Sequence, residues 1–417
     1  MTFKALITFV LLSSTTYSFS QVEITGEFRP RTEYRNGFNT LKKANESVGF
    51  GTALRSRINF KFKNEDFETY LSIQDVSVFG ENRPLKTEDS NNSFALFEAW
   101  AKIGITNGLS TKIGRQIIAY DNERILGAAR WAQQGRTHDA FLLQHNSEKL
   151  KIDLGLAYNQ DHGNPSGFQS TGNYFSTTGA FSYKTMQYLW LNKQFNTSKI
   201  SLLVLNNGFQ EQNESSAIYN LTTYGTYFES NIEKFKLTLH AYGQSGKNPL
   251  GTKISKAYVW NVEGNYKTSD KTSWGLGMEV LSGKDSNTAE NTAFSPLYGS
   301  NHRHNGLLDY FYVGNHINTI GLKDIHISTQ YDINHKTTLS AKGLYFTADK
   351  KLPSGDQFLG TEIDLVLTHQ WKPSIAIKSG YSQLFASKGM EELKNNNSPQ
   401  KTQNWAWIML TLKPKFL

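Results

Sequence analysis

Apolar and polar residues alternate with a period of two along much of this chain. From Val22 to Arg35, the even positions begin Val22, Ile24, Gly26, Phe28, Pro30, and the odd positions read Glu23, Thr25, Glu27, Arg29, Arg31, Glu33, Arg35. Neighbouring side chains of an extended strand point to opposite faces, so one face is mostly apolar and the other carries six charges. Phe50 to Lys63 repeats the pattern, with Leu54, Ile58, Phe60 and Phe62 opposite Arg55, Arg57, Asn59, Lys61 and Lys63. Ala95 to Ile105 sets Phe97, Ala99, Ala101 and Ile103 against Glu98, Trp100 and Lys102. Further strands are predicted at Leu150–Tyr158, Phe235–Tyr242, Trp274–Val280 and Leu359–Thr368, the last with Leu359, Ile363 and Leu365 on its apolar face. A closing strand is predicted from Gln403 to Phe416, with Ile408 and Leu410 opposite Trp405, Trp407 and Met409.

Polar stretches rich in Gly, Asn and Ser (80–92, 161–178, 284–305 and 389–402) separate these strands, as do short turns such as Asn64-Glu65-Asp66. Long loops at one end and tight turns at the other suit a barrel, and about 22 residues per strand and connection gives about 18 strands. Arg or Lys facing lipid at the midplane would cost roughly 2–4 kcal/mol each, so the charged faces are assigned to the lumen. Tyr258, Trp260, Trp405 and Trp407 sit near strand ends and read as aromatic girdles at the membrane interface. The expected fold class is all-β: a transmembrane antiparallel β-barrel of about 18 strands. A soluble sandwich or β-helix would also alternate, but it would not carry such dense charge on several successive strands.

The first residues place this chain outside the cytoplasm. Lys4, the apolar run Ala5–Leu12, and the small residues Ser18 and Ser20 form a secretory leader with cleavage before Gln21. Residues 1–20 are therefore read as a signal peptide and 21–417 as one barrel. The apolar run is shorter than the roughly 20 residues a membrane helix needs. Cysteine is absent, which excludes disulfides and thiolate metal sites. The chain has 44 basic and 36 acidic residues, and removing Lys4 lowers the net charge from +8 to +7. Those charges lie on alternating strand faces behind an export leader, a pattern unlike a nucleic-acid surface. His302 and His304 lack a carboxylate at ligand spacing, and His138 beside Asp139 lacks a serine nucleophile. No catalytic, metal or cofactor site is expected.

One segment is more specific. Gly114 to Ala140 reads GRQIIAYDNERILGAARWAQQGRTHDA. Its Gly114-Arg115-Gln116, Arg124 with Leu126-Gly127, Trp131, Gly135-Arg136 and Asp139-Ala140 resemble the alginate-export family of outer-membrane porins. Leu359–Trp371 and Ser379–Phe385 add a second match. The resemblance implies an outer-membrane channel for an anionic polysaccharide or similar solute. The implied partners are outer-membrane lipid, that solute, and periplasmic export or uptake machinery.

The residues themselves suggest how such a channel would work. Arg29, Arg31, Arg35, Arg55, Arg57 and Lys61 fall on lumen faces, and a basic lumen with low-dielectric walls attracts anions. Guanidinium forks suit carboxylates. Arg124, Arg130 and Arg136 join this set if the central segment folds inward to narrow the pore, and Arg115 joins it if a bulge reverses the register there, since otherwise it snorkels near a membrane edge. Glu98, Asp121 and Asp139 are the expected acidic partners. The alternative is that the segment forms two strands and a loop held by Arg–Asp pairs, and that many inward charges form a structural ion network. Two other functions stay open: a general or differently selective porin, and a structural or enzymatic barrel that transports nothing.

Overall fold

The computed structural model describes residues 21–85, 93–161, 175–177, 182–211, 217–285, 288, 290–316, 318–395, 399 and 402–417. The proposed leader lies outside the described residues, as does most of the 161–178 segment. Eighteen strands form one closed antiparallel sheet. They are β1 (Gln21–Asn36), β2 (Gly49–Lys63), β3 (Phe67–Val78), β4 (Ala95–Thr106), β5 (Leu109–Gln116) and β6 (His138–Asn146). Next come β7 (Leu150–Tyr158), β8 (Thr185–Gln194), β9 (Ser198–Gln210), β10 (Ile218–Ile232), β11 (Phe235–Lys247) and β12 (Lys253–Lys267). The set ends with β13 (Thr272–Leu281), β14 (Leu322–Asn334), β15 (Thr337–Thr347), β16 (Phe358–Lys372), β17 (Ile375–Ala386) and β18 (Thr402–Leu412). Each strand pairs with its neighbours in sequence, and β18 closes the barrel on β1. Closure leaves no open sheet edge to be satisfied inside a bilayer. A short helix, α1 (Lys388–Leu393), follows β17 and is capped by Ser387, whose side chain accepts from the Met390 amide.

Alternation sets the two surfaces. Ile58, Phe60, Leu154, Leu156, Leu276, Ile363, Leu365 and Ile408 are exposed on the outer face, while Arg29, Arg31, Glu33 and Arg55 are buried on the inner one. Gln21, Leu417 and the short turns lie at one end of the barrel, and the long connections lie at the other. The β1–β18 ladder lapses at residues 29 and 30 and resumes in the same register. Pro30 has no N–H to donate there.

Two bulges overturn outward assignments. In β4, Ser72 pairs with Glu98 but Ile73 pairs with Leu96, so Phe97 is the extra residue. The bulge brings Phe97 to the lumen side, where the Arg57 guanidinium lies 3.5 Å from its ring centroid. In β16, the register shifts at Gly360, whose φ is +141°. Leu359 is thereby buried, although Ile363 and Leu365 face outward as expected. A Cβ on Gly360 would also meet the Phe385 carbonyl oxygen at 2.5 Å. The girdle assignment of Trp405 and Trp407 fails as well. Both are buried in the lumen among Trp131, His302 and Phe38. They share the inward parity of Met409.

Candidate permeation pathway

Two long connections fold into the barrel instead of leaving it. The β5–β6 connection (117–137) carries Ile118, Ile125, Leu126 and Ala128, all buried, the first three in the apolar core inside the barrel. An apolar run in a loop gains free energy by leaving water, and the lumen wall offers the surface. Tyr120 stacks on Trp190 of β8 at 4.4 Å and donates to Asp153 of β7. Asp121 accepts from Trp190 Nε1 at 3.1 Å and Ser201 Oγ at 2.6 Å. Arg124, 2% exposed, reaches Glu279 of β13 at 2.7 Å.

The β13–β14 connection (282–321) interlocks with the first. Leu126 and Tyr298 form a parallel bridge. Arg124 also donates to Asn301 and Asn305. Arg136 donates to the carbonyls of Tyr298 and Gly299. Glu123 accepts from Ser300 Oγ and the Ala128 amide. Burial raises the Glu123 carboxyl, but those bonds and the nearby Arg130 and Arg303 hold it below its ordinary value. It is therefore an anion at neutral pH.

The arginine row of β1 and β2 holds the other side of the first loop. Arg29 donates to the Arg130 carbonyl at 2.8 Å and to Gln133 Oε1. Arg31 donates to the Trp131 carbonyl at 2.8 Å and lies 4.0 Å from that indole's centroid. Arg55 reaches the carbonyls of Ala132 and Gln133, and Arg57 reaches that of Gln134. Gln133 returns hydrogen bonds to the carbonyls of Arg29 and Ala53. Guanidiniums with five fixed donors suit this job. Three of the four (Arg29, Arg31 and Arg55) are buried, so they anchor the loop and do not present their donors to a solute.

A cavity of about 1170 Å³ remains beside the loops. Its lining includes Phe38, Asn39 and Val78 at the loop end, and Gln370, Pro373, Ser374 and Lys413 at the turn end. It follows β1–β3 and β16–β18. Ten of its lining residues are Arg or Lys and four are Asp or Glu. Three of those acids are shared between arginines: Glu27 with Arg55 and Arg29, Glu33 with Arg31 and Arg35, and Glu123 with Arg130 and Arg303. The fourth, Asp309, pairs with His302. Arg35, Arg130, Arg303, Lys378 and Lys413 keep exposed side chains in this space.

Other expected site residues lie elsewhere. Arg115 and Asp139 are on the outer face, directly opposite each other on β5 and β6, with Arg115 Nε 2.8 Å from Asp139 Oδ1. They belong to the parity of Ile113 and Phe141, and they sit at the loop end, where a long side chain can reach the interface. Arg124 is sealed beneath the interlocked loops and does not line the cavity. Arg130 lines it. Arg136 lines it with its donors turned to loop carbonyls. Lys61 pairs with Glu68 near the turn end, and Glu98 accepts from Trp100 Nε1 and the Ile117 amide. Asp121 is on the lumen side but bonds the wall. Arg303, Lys378 and Lys413, which the sequence did not single out, also line the cavity, as does Glu123. Among the described residues, no group of three His, Cys, Asp or Glu side chains is placed to hold a metal.

Comparison with known proteins agrees with this architecture. OccAB4 of Acinetobacter baumannii superposes with a TM-score of 0.65 at 13% identity, covering 97% of this chain and 100% of that one. OccAB1 of the same organism gives 0.63 at 12%, with coverage of 97% and 100%. OpdK of Pseudomonas aeruginosa, in a structure with vanillate, gives 0.60 at 11%, with coverage of 95% and 99%. No curated protein matches the chain. The family model described as "Alginate export" matches residues 20–402. The chain thus belongs to the alginate export family and is a β-barrel channel of the bacterial outer membrane.

Proposed function

We propose that this channel passes anionic saccharides, alginate-like uronate chains among them, by passive movement through a basic lumen. The observation that carries this reading is the excess of bases over acids on the cavity lining. Arg35, Arg130, Arg303, Lys378 and Lys413 are the side chains that meet the solute, and the buried arginines add field without offering contacts. Several modest sites in series allow a polyanion to advance without being trapped. The channel does no chemistry on its cargo, and residues 1–20 are a leader removed on export.

Purified protein in a planar bilayer tests the reading. The reversal potential in a KCl gradient should show anion preference, and uronate oligomers should interrupt the current. Combined Arg35→Ala and Arg130→Ala should reduce the preference. Cation preference in the unaltered protein would refute the basic-lumen reading.

A second reading is a channel for small carboxylates. The inward loops narrow the lumen to one side, and the OpdK structure holds vanillate. Monomeric carboxylates that permeate while oligomers only block would favour it.

A further inference from the structure

A second, smaller space opens off the pathway. It measures about 270 Å³ and shares Arg303, Leu307 and Val366 with the main cavity. Its walls are the inward faces of β12–β16, and its roof is the 303–307 segment. The space is just below the roughly 300–1,000 Å³ of sites for drug-sized ligands. It is large enough for one small polar molecule and too small for a chain segment.

The lining sorts into three chemistries. Lys342 and Arg303 are cationic, Asp364 is acidic, and Ser273, Ser328 and Ser340 supply hydroxyls. Lys342 is half-buried and forms no salt bridge among the described residues, although Glu263, His326 and Asp364 act on it electrostatically. Its cross-strand neighbours are Ser328 on β14 and Asp364 on β16. Asp364 is already engaged: it accepts from Ser382 Oγ and from the Leu307 amide. Glu263 and Asp364 lie close enough to act on this ammonium without closing a salt bridge, so its donors stay open to a carboxylate. The fixed acid beside it disfavours a second negative charge on the ligand.

We propose that this side pocket binds a single sugar acid, a small polyhydroxylated monocarboxylate. Its carboxylate lies between Lys342 and Arg303, and its hydroxyls meet the serine row. The proposal goes beyond the pathway reading, because occupancy of the pocket does not require conduction along the main cavity.

The test is calorimetric titration of the purified full-length barrel in detergent. The probe is D-glucuronate, compared at equal ionic strength with D-glucose, acetate and inorganic phosphate. The expected result is one D-glucuronate per chain, bound at least tenfold more tightly than any of the other three. Lys342→Met, which removes the charge, and Ser340→Leu, which fills the space, should each weaken binding tenfold or more, and Lys342→Arg should restore most of it. Each variant is checked for folding by channel formation in a bilayer. Undetectable D-glucuronate binding, or binding unaltered in both weakening variants, overturns the proposal. Equal affinity for D-glucose refutes the carboxylate contact, and equal affinity for phosphate reduces the pocket to a bare anion site. Loss of anion preference in bilayers with binding intact would refute the pathway reading alone.

Discussion

Arg124 holds the two inward loops to the barrel wall, and replacing it by Met should open the channel. The guanidinium lies 2.7 Å from Glu279, 2.9 Å from Asn305 and 3.2 Å from Asn301. Glu279 is itself nearly inaccessible to water. Breaking such a pair from one side leaves the buried Glu279 with only Asn305 and His240 beside it and costs up to about 3–5 kcal/mol. None of the strand ladders depends on Arg124, so the cost falls on loop docking and not on the barrel. At about 1.4 kcal/mol per factor of ten, the docked-to-released ratio should fall about 100- to 4000-fold. Single-channel recording should then show larger and noisier conductance, while the heat-modifiable mobility of the folded barrel persists in gels. Arg124→Met combined with Glu279→Leu removes the stranded charge and should recover much of the quiet state. A single variant with unaltered conductance and noise, or a double variant as open as the single, would refute the anchoring role.

Three further outcomes follow from the same geometry. Leu365→Arg, in the middle of β16 on the outer face, should cost roughly 2–4 kcal/mol of stability in lipid, read by urea unfolding in vesicles. Arg115→Ala breaks a half-exposed pair worth about 0.2–1 kcal/mol and should leave the reversal potential unchanged; a clear shift would place Arg115 in the pathway after all. Lys394, just beyond α1, is part-buried and donates to the carbonyls of Tyr310 and Asn315, and desolvation pushes its ammonium down to about 8. Below pH 8 the ammonium is charged in both folded and unfolded chains, so the burial penalty is fully present there. Between pH 8 and the ordinary lysine range only the unfolded chain binds the proton, so stability should rise with pH in that window. Thermal unfolding against pH should show the rise, and Lys394→Met should abolish it.

Much of the barrel was legible because period-two alternation has a direct physical meaning when one face meets lipid. Ile58, Phe60, Ile363 and Leu365 are exposed on the side their parity assigns. The failures sit where one residue interrupts the period. Phe97 and Leu359 each lie at a bulge, and nothing in the local alternation marks the slip, although Gly360 is the kind of residue that permits one. Trp405 and Trp407 carry a different lesson. Their parity with Met409 already pointed inward, and the girdle assignment relied only on closeness to a strand end. The inward path of 117–137 was only half visible. Ile117-Ile118 and Ile125-Leu126 are apolar pairs in a connection that a water-facing loop would not need. The partners of Tyr120, Asp121 and Arg124 on β7, β8 and β13 lie far away in sequence, so the fold of the loop could be suspected but not drawn.

Counting arginines on a strand face predicts the sign of a field, but it does not identify which of them a solute meets. Arg29 and Arg130 separate the two roles in one test. Arg29 is buried and donates to the carbonyl of Arg130 itself, whereas the Arg130 side chain extends into the cavity and pairs with Glu123. Removing Arg29 strands the loop carbonyls and Glu27 loses one of its two arginines, so Arg29→Ala should loosen the loop and raise conductance. Removing Arg130 costs the loop only a half-exposed pair, so Arg130→Ala should lower anion preference at nearly constant conductance. Planar-bilayer conductance and reversal potential, measured on both variants, resolve the two effects. If both variants changed the same quantity by the same amount, the division between arginines that build the constriction and arginines that face the solute would be wrong. The surplus of positive charge would then act as one undivided field.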